Sequence, residues 1–323
     1  MREEKLDFYK GFLIWSVVLG HCLNVICPGT ILHMLIRTFD LPMFMYISGY
    51  LLRGSIRRYD WKHLVLNKIT NIAVPAVIWI IISLLFGDLH SYYFLWAVFV
   101  SSVAICLAEN ICKNDGLGGA VLVLLAIVLH FIPQNVVNIS FLFPFCLWGY
   151  FSKNIASIGW RQGMTALLIF ICLFVFVWKP EYSIWRSGGY ILQDSSHMIK
   201  VVLIRLVIGG TGIYSAVFLW EKLYKYYKNG AFVKLISNIG KETLAVYLMQ
   251  HIVVEILLLK TVRTLEIRGM LDGQQLLAGY ILTPIISFVL LVIMYYTVNC
   301  IKRYKHTKWI FGFKLKTEAY RLL

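Results

Sequence analysis

The sequence predicts an all-α polytopic membrane bundle of about ten transmembrane helices, and three observations carry that prediction. The 323 residues are 59% hydrophobic and only 15% charged, against roughly half apolar and a quarter charged in soluble domains. Mean hydropathy is +0.74. Apolar runs long enough to span a hydrocarbon core follow one another along nearly the whole chain, with Lys and Arg gathered in short clusters between them.

The expected helices are 8–27, 31–52, 67–86, 92–108, 118–133, 136–152, 163–180, 198–220, 239–260 and 275–300. The first carries a histidine mid-span and no small-x-small cleavage site, so it reads as a retained helix. The second and ninth are apolar but interrupted by ionisable residues. At the start of the fourth, Tyr92, Tyr93, Phe94 and Trp96 read as an interfacial aromatic belt. The pair within 118–152 is the weakest. In the eighth, IGGTGI (208–213) lacks the GK[ST] ending of a phosphate loop, and its small residues suit close helix approach. No internal repeat, heptad pattern or low-complexity linker divides the chain. It therefore reads as a single membrane-embedded domain over 1–323, with short loops and a basic tail.

Charge sets the expected orientation. One side receives Arg53, Arg57, Arg58, Lys62 and Lys68, then Lys222, Lys225, Lys228 and Lys234, then the tail from Lys302 to Arg321. The other holds Lys179, Arg186, Lys260, Arg263 and Arg268. This asymmetry predicts both termini in the cytoplasm of a cell membrane. The net charge of +15 lies in loops facing anionic lipid and forms no basic domain, which argues against nucleic-acid binding. The seven cysteines form no CxxC pair, so neither a disulfide framework nor a zinc site is expected. HExxH and GxSxG are absent, and no metal is expected.

Ionisable groups at membrane depth are costly, so each is a functional candidate. His21 lies eleven residues past Lys10, roughly 16 Å deeper on about the same face. Asp40 precedes the inner end of the second helix by twelve residues, roughly 18 Å, and His251 follows Gly240 by eleven, again roughly 16 Å. Three ionisable groups from three helices thus share one depth. Glu255 lies on the face of His251 one turn further out, with Arg37 and Arg205 slightly nearer the external side. His63 and His90 fall in loops and are expected to be solvated. The polar layer reads either as buried ion pairs locking helices together or as a reaction centre or proton path.

EEKLDFYKGFLIWSVVLGH (3–21) followed by FDLPMFMYISGYLL (39–52) resembles the acyltransferase-3 family of multi-pass membrane acyltransferases. The likeness continues through KITNIAVP (68–75), YYFLWAVF (92–99) and FLFPFCLWGYF (141–151) to IGKETLAVYLMQH (239–251). The last block matches the family's late helix ending in Tyr-Leu-x-x-His. The family's first-helix signature is Arg, ten residues, then His. Here the spacing holds but Lys10 stands first, keeping the charge without the planar fork. Where the family often has His before the proline of the second block, this chain has Asp40.

The resemblance implies an O-acetyltransferase that moves an acetyl or other short acyl group from cytoplasmic acyl-CoA to a hydroxyl of a saccharide or lipid-linked sugar. Lys10, Arg57, Arg58 and Lys68 would draw the phosphates of CoA. His21 would be the general base, or carry the acyl group itself. Asp40 would orient a histidine, His251 would be a second proton carrier, and Arg37 or Arg205 would hold the oxyanion or the sugar. Two competing readings remain: a transporter using the polar layer as its path, and a catalytically silent relative.

Overall fold

The computed structural model describes residues 4–112, 115–129, 139–152, 158–179, 182, 195–267, 274–304 and 307–312. Eleven helices cover most of them: α1 (Glu4–Ile26), α2 (Ile31–Ile56), α3 (Trp61–Leu85), α4 (Tyr93–Cys112), α5 (Asp115–Val128), α6 (Ile139–Phe151), α7 (Trp160–Phe176), α8 (Ser195–Tyr227), α9 (Ala231–Lys241), α10 (Thr243–Thr264) and α11 (Gln275–Arg303). Among the described residues there is no strand.

Six of these helices, α1, α3, α4, α8, α10 and α11, are long and apolar enough to cross a membrane, and α5, α6 and α7 are shorter apolar helices. The chain is a multi-pass helical membrane protein. Every expected segment falls on a helix, while residues 130–138 between the fifth and sixth, Arg186, Arg268 and the tail beyond Gly312 lie outside the described residues.

The bundle is built around α1, which packs on α2, α9, α10 and α11. Two crossings are so close that only glycine fits. A Cβ on Gly49 of α2 would stand 1.9 Å from the Cys146 carbonyl oxygen, and one on Gly149 of α6 1.9 Å from that of Tyr46. Likewise a Cβ on Gly240 of α9 would stand 1.7 Å from the Asp7 carbonyl oxygen on α1. That last contact sets the depth scale, because it places Gly240 beside the first turns of α1. The neighbouring Glu242 pairs with Lys302 at the far end of α11. Both ends of the described bundle therefore lie on one face, called here the terminal face. The 3₁₀ turn Lys308–Phe311 folds back onto α3, where Trp79 Nε1 donates to the Ile310 carbonyl at 3.0 Å.

Three π-helical segments interrupt the long helices. Ile69–Ala73 is followed by Pro75, and Ala278–Leu282 by Pro284. Proline supplies no N–H, so a widened turn just before it has a local cause. The third, His251–Leu258, has no proline near it and contains the ionisable residues of α10. π-bulges without such a cause often mark functional sites.

The structure departs from the sequence-based expectation at three places. The ninth expected segment begins inside a separate helix, since the chain breaks at Glu242 (φ −106°, ψ 17°) between α9 and α10. The expected aromatic belt is an internal feature: Tyr92, Tyr93 and Phe94 are all buried against other helices. His90 is not solvated but packs into the bundle, as described below. By contrast, the small residues of 208–213 do admit close neighbours, with Gly209 against Phe145 and Pro42.

Candidate active site

Glu255 is the centre of the polar layer. Its Oε1 accepts from Nδ1–H of His21 on α1, and its Oε2 accepts from Nδ1–H of His251 at 2.6 Å. One carboxylate thus bridges two imidazoles from two helices. A neutral imidazole that donates from Nδ1 to Glu255 keeps its lone pair on Nε2. The His21 side chain keeps 12% exposure whereas that of His251 has 1%, so His21 is the more accessible of the two.

A loop from the opposite face closes over His251. Residues 86–92, between α3 and α4, bring Asp88 Oδ2 to 3.0 Å from His251 Nε2, without hydrogen-bond alignment. His90 stacks on His251, with ring centroids 3.8 Å apart, and its Nδ1 lies 3.7 Å from Glu255 Oε2. Burial, reinforced by the facing His251, pushes the His90 imidazole down to about 4, so it is neutral near pH 7. Tyr92 holds the loop in place: it packs edge-on against His90 and donates its hydroxyl hydrogen to the Leu248 carbonyl at 3.1 Å. Its φ of +44° lies in the left-handed region, a strain of about 1–3 kcal/mol that these contacts sustain.

His90, His251 and Glu255 bring potential ligand atoms within 4.8 Å of one another. The two imidazole planes are stacked 21° apart, so their in-plane lone pairs run side by side. Such rings do not converge on one ion at the roughly 2.0–2.1 Å of a metal–imidazole bond. The arrangement suits proton handling.

The other expected residues divide. Asp40, fully buried, accepts from the Leu41 N–H at 2.7 Å and faces Arg37 Nη1 at 3.6 Å. It lies within electrostatic reach of His21, but Glu255 occupies the orienting position expected for Asp40. Arg37 also donates from Nε to His33 Nε2 at 3.5 Å. Arg205 lies apart from this cluster, donating to the Tyr182 carbonyl and covering the Phe141 ring at 4.6 Å.

Towards the terminal face, a cavity of about 310 Å³ collects Lys10, Lys68 and Lys241 around an apolar wall of Phe44, Phe94 and Tyr247. Lys10 also pairs with Asp7 at 2.8 Å. Arg57 and Arg58 are exposed just past α2 and do not line the cavity. Lys241 was not anticipated, because its place on a separate α9 was not visible in hydropathy. Glu255, His90 and Asp88 were not assigned to the site either. Glu255 alone carried a signal, as an intramembrane carboxylate four residues from His251.

A helical membrane bundle with a buried histidine–carboxylate centre, and with a lysine-lined cavity towards one face, has the layout of a membrane-embedded group-transfer enzyme. Comparison with known proteins makes this specific: a family model described as an acyltransferase domain matches residues 3–301. The chain belongs to the acyltransferase-3 family of membrane acyltransferases. It is 25% identical over 293 residues to the nodulation protein NolL of Mesorhizobium japonicum, covering 77% of this chain and 76% of the relative. Over 294 residues it is 27% identical to NolL of Sinorhizobium fredii, covering 77% of each. No solved structure matches.

Proposed function

We propose that the chain acts as one membrane-embedded unit over residues 1–323, transferring an acetyl group from cytoplasmic acetyl-CoA to a hydroxyl of a cell-surface or lipid-linked saccharide. The observation that carries this reading is the Glu255 carboxylate bridging His21 and His251, with Tyr247, one helical turn before His251, on the wall of a lysine-lined cavity. Lys10, Lys68 and Lys241 attract the phosphates of CoA, and the narrow pantetheine arm passes inward. The hydroxyl acceptor comes from the family, whose usual acceptors are sugars.

His21 is the general base. With its Nδ1–H held by Glu255, Nε2 takes the proton of the acceptor hydroxyl as the oxygen attacks the thioester carbon. The C–S bond then breaks, and the CoA thiolate recovers that proton from Nε2–H. His251 shares the carboxylate and lies against Asp88, which is 53% exposed towards the face opposite the termini. This supports acceptor access from that side. The excess of Lys and Arg in the loops of the terminal face supports a cytoplasmic location for both termini.

Sealed membrane vesicles of both orientations test the arrangement. Labelled acetyl-CoA added outside inside-out vesicles is expected to yield acetylated acceptor, and added outside right-side-out vesicles to yield none. The reverse pattern would contradict the donor side assigned here.

A further inference from the structure

We infer that Tyr247 is a catalytic residue, its phenolic O–H donating a hydrogen bond to the thioester carbonyl oxygen as that oxygen becomes an oxyanion. The inference rests on the acyl transfer proposed above and gives a role to the tyrosine of the Tyr-Leu-x-x-His block, to which the sequence assigns none.

Tyr247 belongs to both halves of the site. It lines the lysine cavity, and on α10 it lies four residues before His251, one turn nearer the terminal face. Glu255 and Arg37 are both within electrostatic reach of its hydroxyl. A thioester entering by the cavity therefore meets Tyr247 on its wall, one helical turn from the His251 that shares Glu255 with His21. The ring is held by its neighbours, with Phe94 at 5.6 Å and 59° and Tyr92 at 6.4 Å and 65° between ring centroids. Its hydroxyl makes no hydrogen bond to another described residue.

The two arginines expected to hold the oxyanion are committed elsewhere. Arg37 is engaged by Asp40 and His33, and Arg205 is tied to the Tyr182 carbonyl away from the cluster. Main-chain N–H groups of α10 from Val246 onwards belong to its helical ladder. Tyr247 offers a neutral donor on the cavity wall, its ring held by Phe94 and Tyr92. In the step itself, the acceptor oxygen bonds to the carbonyl carbon while its proton moves to His21 Nε2. The carbonyl oxygen takes the charge and is held by the Tyr247 O–H. Collapse then restores the carbonyl and expels the thiolate, which leaves protonated by His21.

Tyr247→Phe deletes one hydroxyl and keeps the ring in its packing, so a purely structural tyrosine predicts an unchanged enzyme. The expected result is a kcat lower by about 10²- to 10³-fold with the KM for acetyl-CoA within about twofold and thermal stability unchanged. A kcat within about threefold of wild type would overturn the assignment, as would a raised KM at unchanged kcat. Should the phenylalanine variant be unstable, 3-fluorotyrosine at position 247 gives the second readout. Its more acidic phenol is expected to change kcat without changing KM, and an unchanged kcat would overturn the assignment. Wild type and His21→Ala are assayed alongside. A wild type without acetyl-CoA-dependent transfer defeats the acyl-transfer reading, whereas an active wild type matched by Tyr247→Phe defeats only the role of Tyr247.

Discussion

Two imidazoles share one carboxylate, and in this protein the sharing decides which nitrogen of each ring faces away from it. Glu255 commits Nδ1 of His21 and of His251, and the more exposed His21 becomes the reactive partner. Glu255→Gln keeps the size of the side chain but replaces one acceptor oxygen by a donor, so one of the two imidazoles must turn or lose its bond. Transfer is expected to fall by about ten- to a thousand-fold, part of the contribution of a general base, with membrane insertion unchanged. Steady-state kinetics on purified variant protein checks this, and wild-type turnover would remove Glu255 from the orienting role. His21 and His251 were legible in the sequence because ionisable side chains stand out in apolar helices. The centrality of Glu255 was not, since its second partner sits more than two hundred residues away on α1. Asp88 and His90 were illegible for a different reason: hydropathy marks a loop but does not say that it folds back into the bundle.

Helices meet in this protein where glycines remove side chains, and the α2–α6 and α1–α9 crossings position the site. Gly49→Ala would press a methyl against the Cys146 carbonyl, a backbone atom that cannot swing aside. A cost of about 1–3 kcal/mol is expected. In detergent this should appear as a melting temperature lowered by at least about 3 °C. Gly54→Ala, on the same helix with nothing within 4 Å of the added carbon, is the matched control and is expected to leave the melting temperature unreduced. Equal melting of the two variants would show that the crossing is more yielding than its geometry indicates. Apolar length made the long helices legible, and 3.6-residue spacing gave the depth of their polar groups. The break at Glu242 was hidden because α9 and α10 follow without proline or an intervening loop. The π segment at His251 leaves no mark in composition at all.

Across the whole molecule, a cationic cavity lies near the terminal face, and Asp88, exposed on the loop from the opposite face, lies against the histidine layer. Lys10, Lys68 and Lys241 converge from α1, α3 and α9, although only the first two carried a signal as candidate phosphate ligands. Replacing all three by Gln is expected to raise the KM for acetyl-CoA at least tenfold, with less than threefold change in kcat. The effect should shrink at high salt, because screened charges attract the phosphates weakly in either protein. An unchanged KM at low ionic strength would place the donor elsewhere.

The most direct test of the central claim is transfer of label from [acetyl-¹⁴C]acetyl-CoA in membranes carrying either the wild-type chain or His21→Ala. The account predicts label in a saccharide or glycolipid fraction with wild type, and a loss of about a hundred- to ten-thousand-fold in the variant at equal membrane abundance. Near-normal transfer by His21→Ala, or no CoA-dependent transfer by the wild type to any offered acceptor, would contradict it.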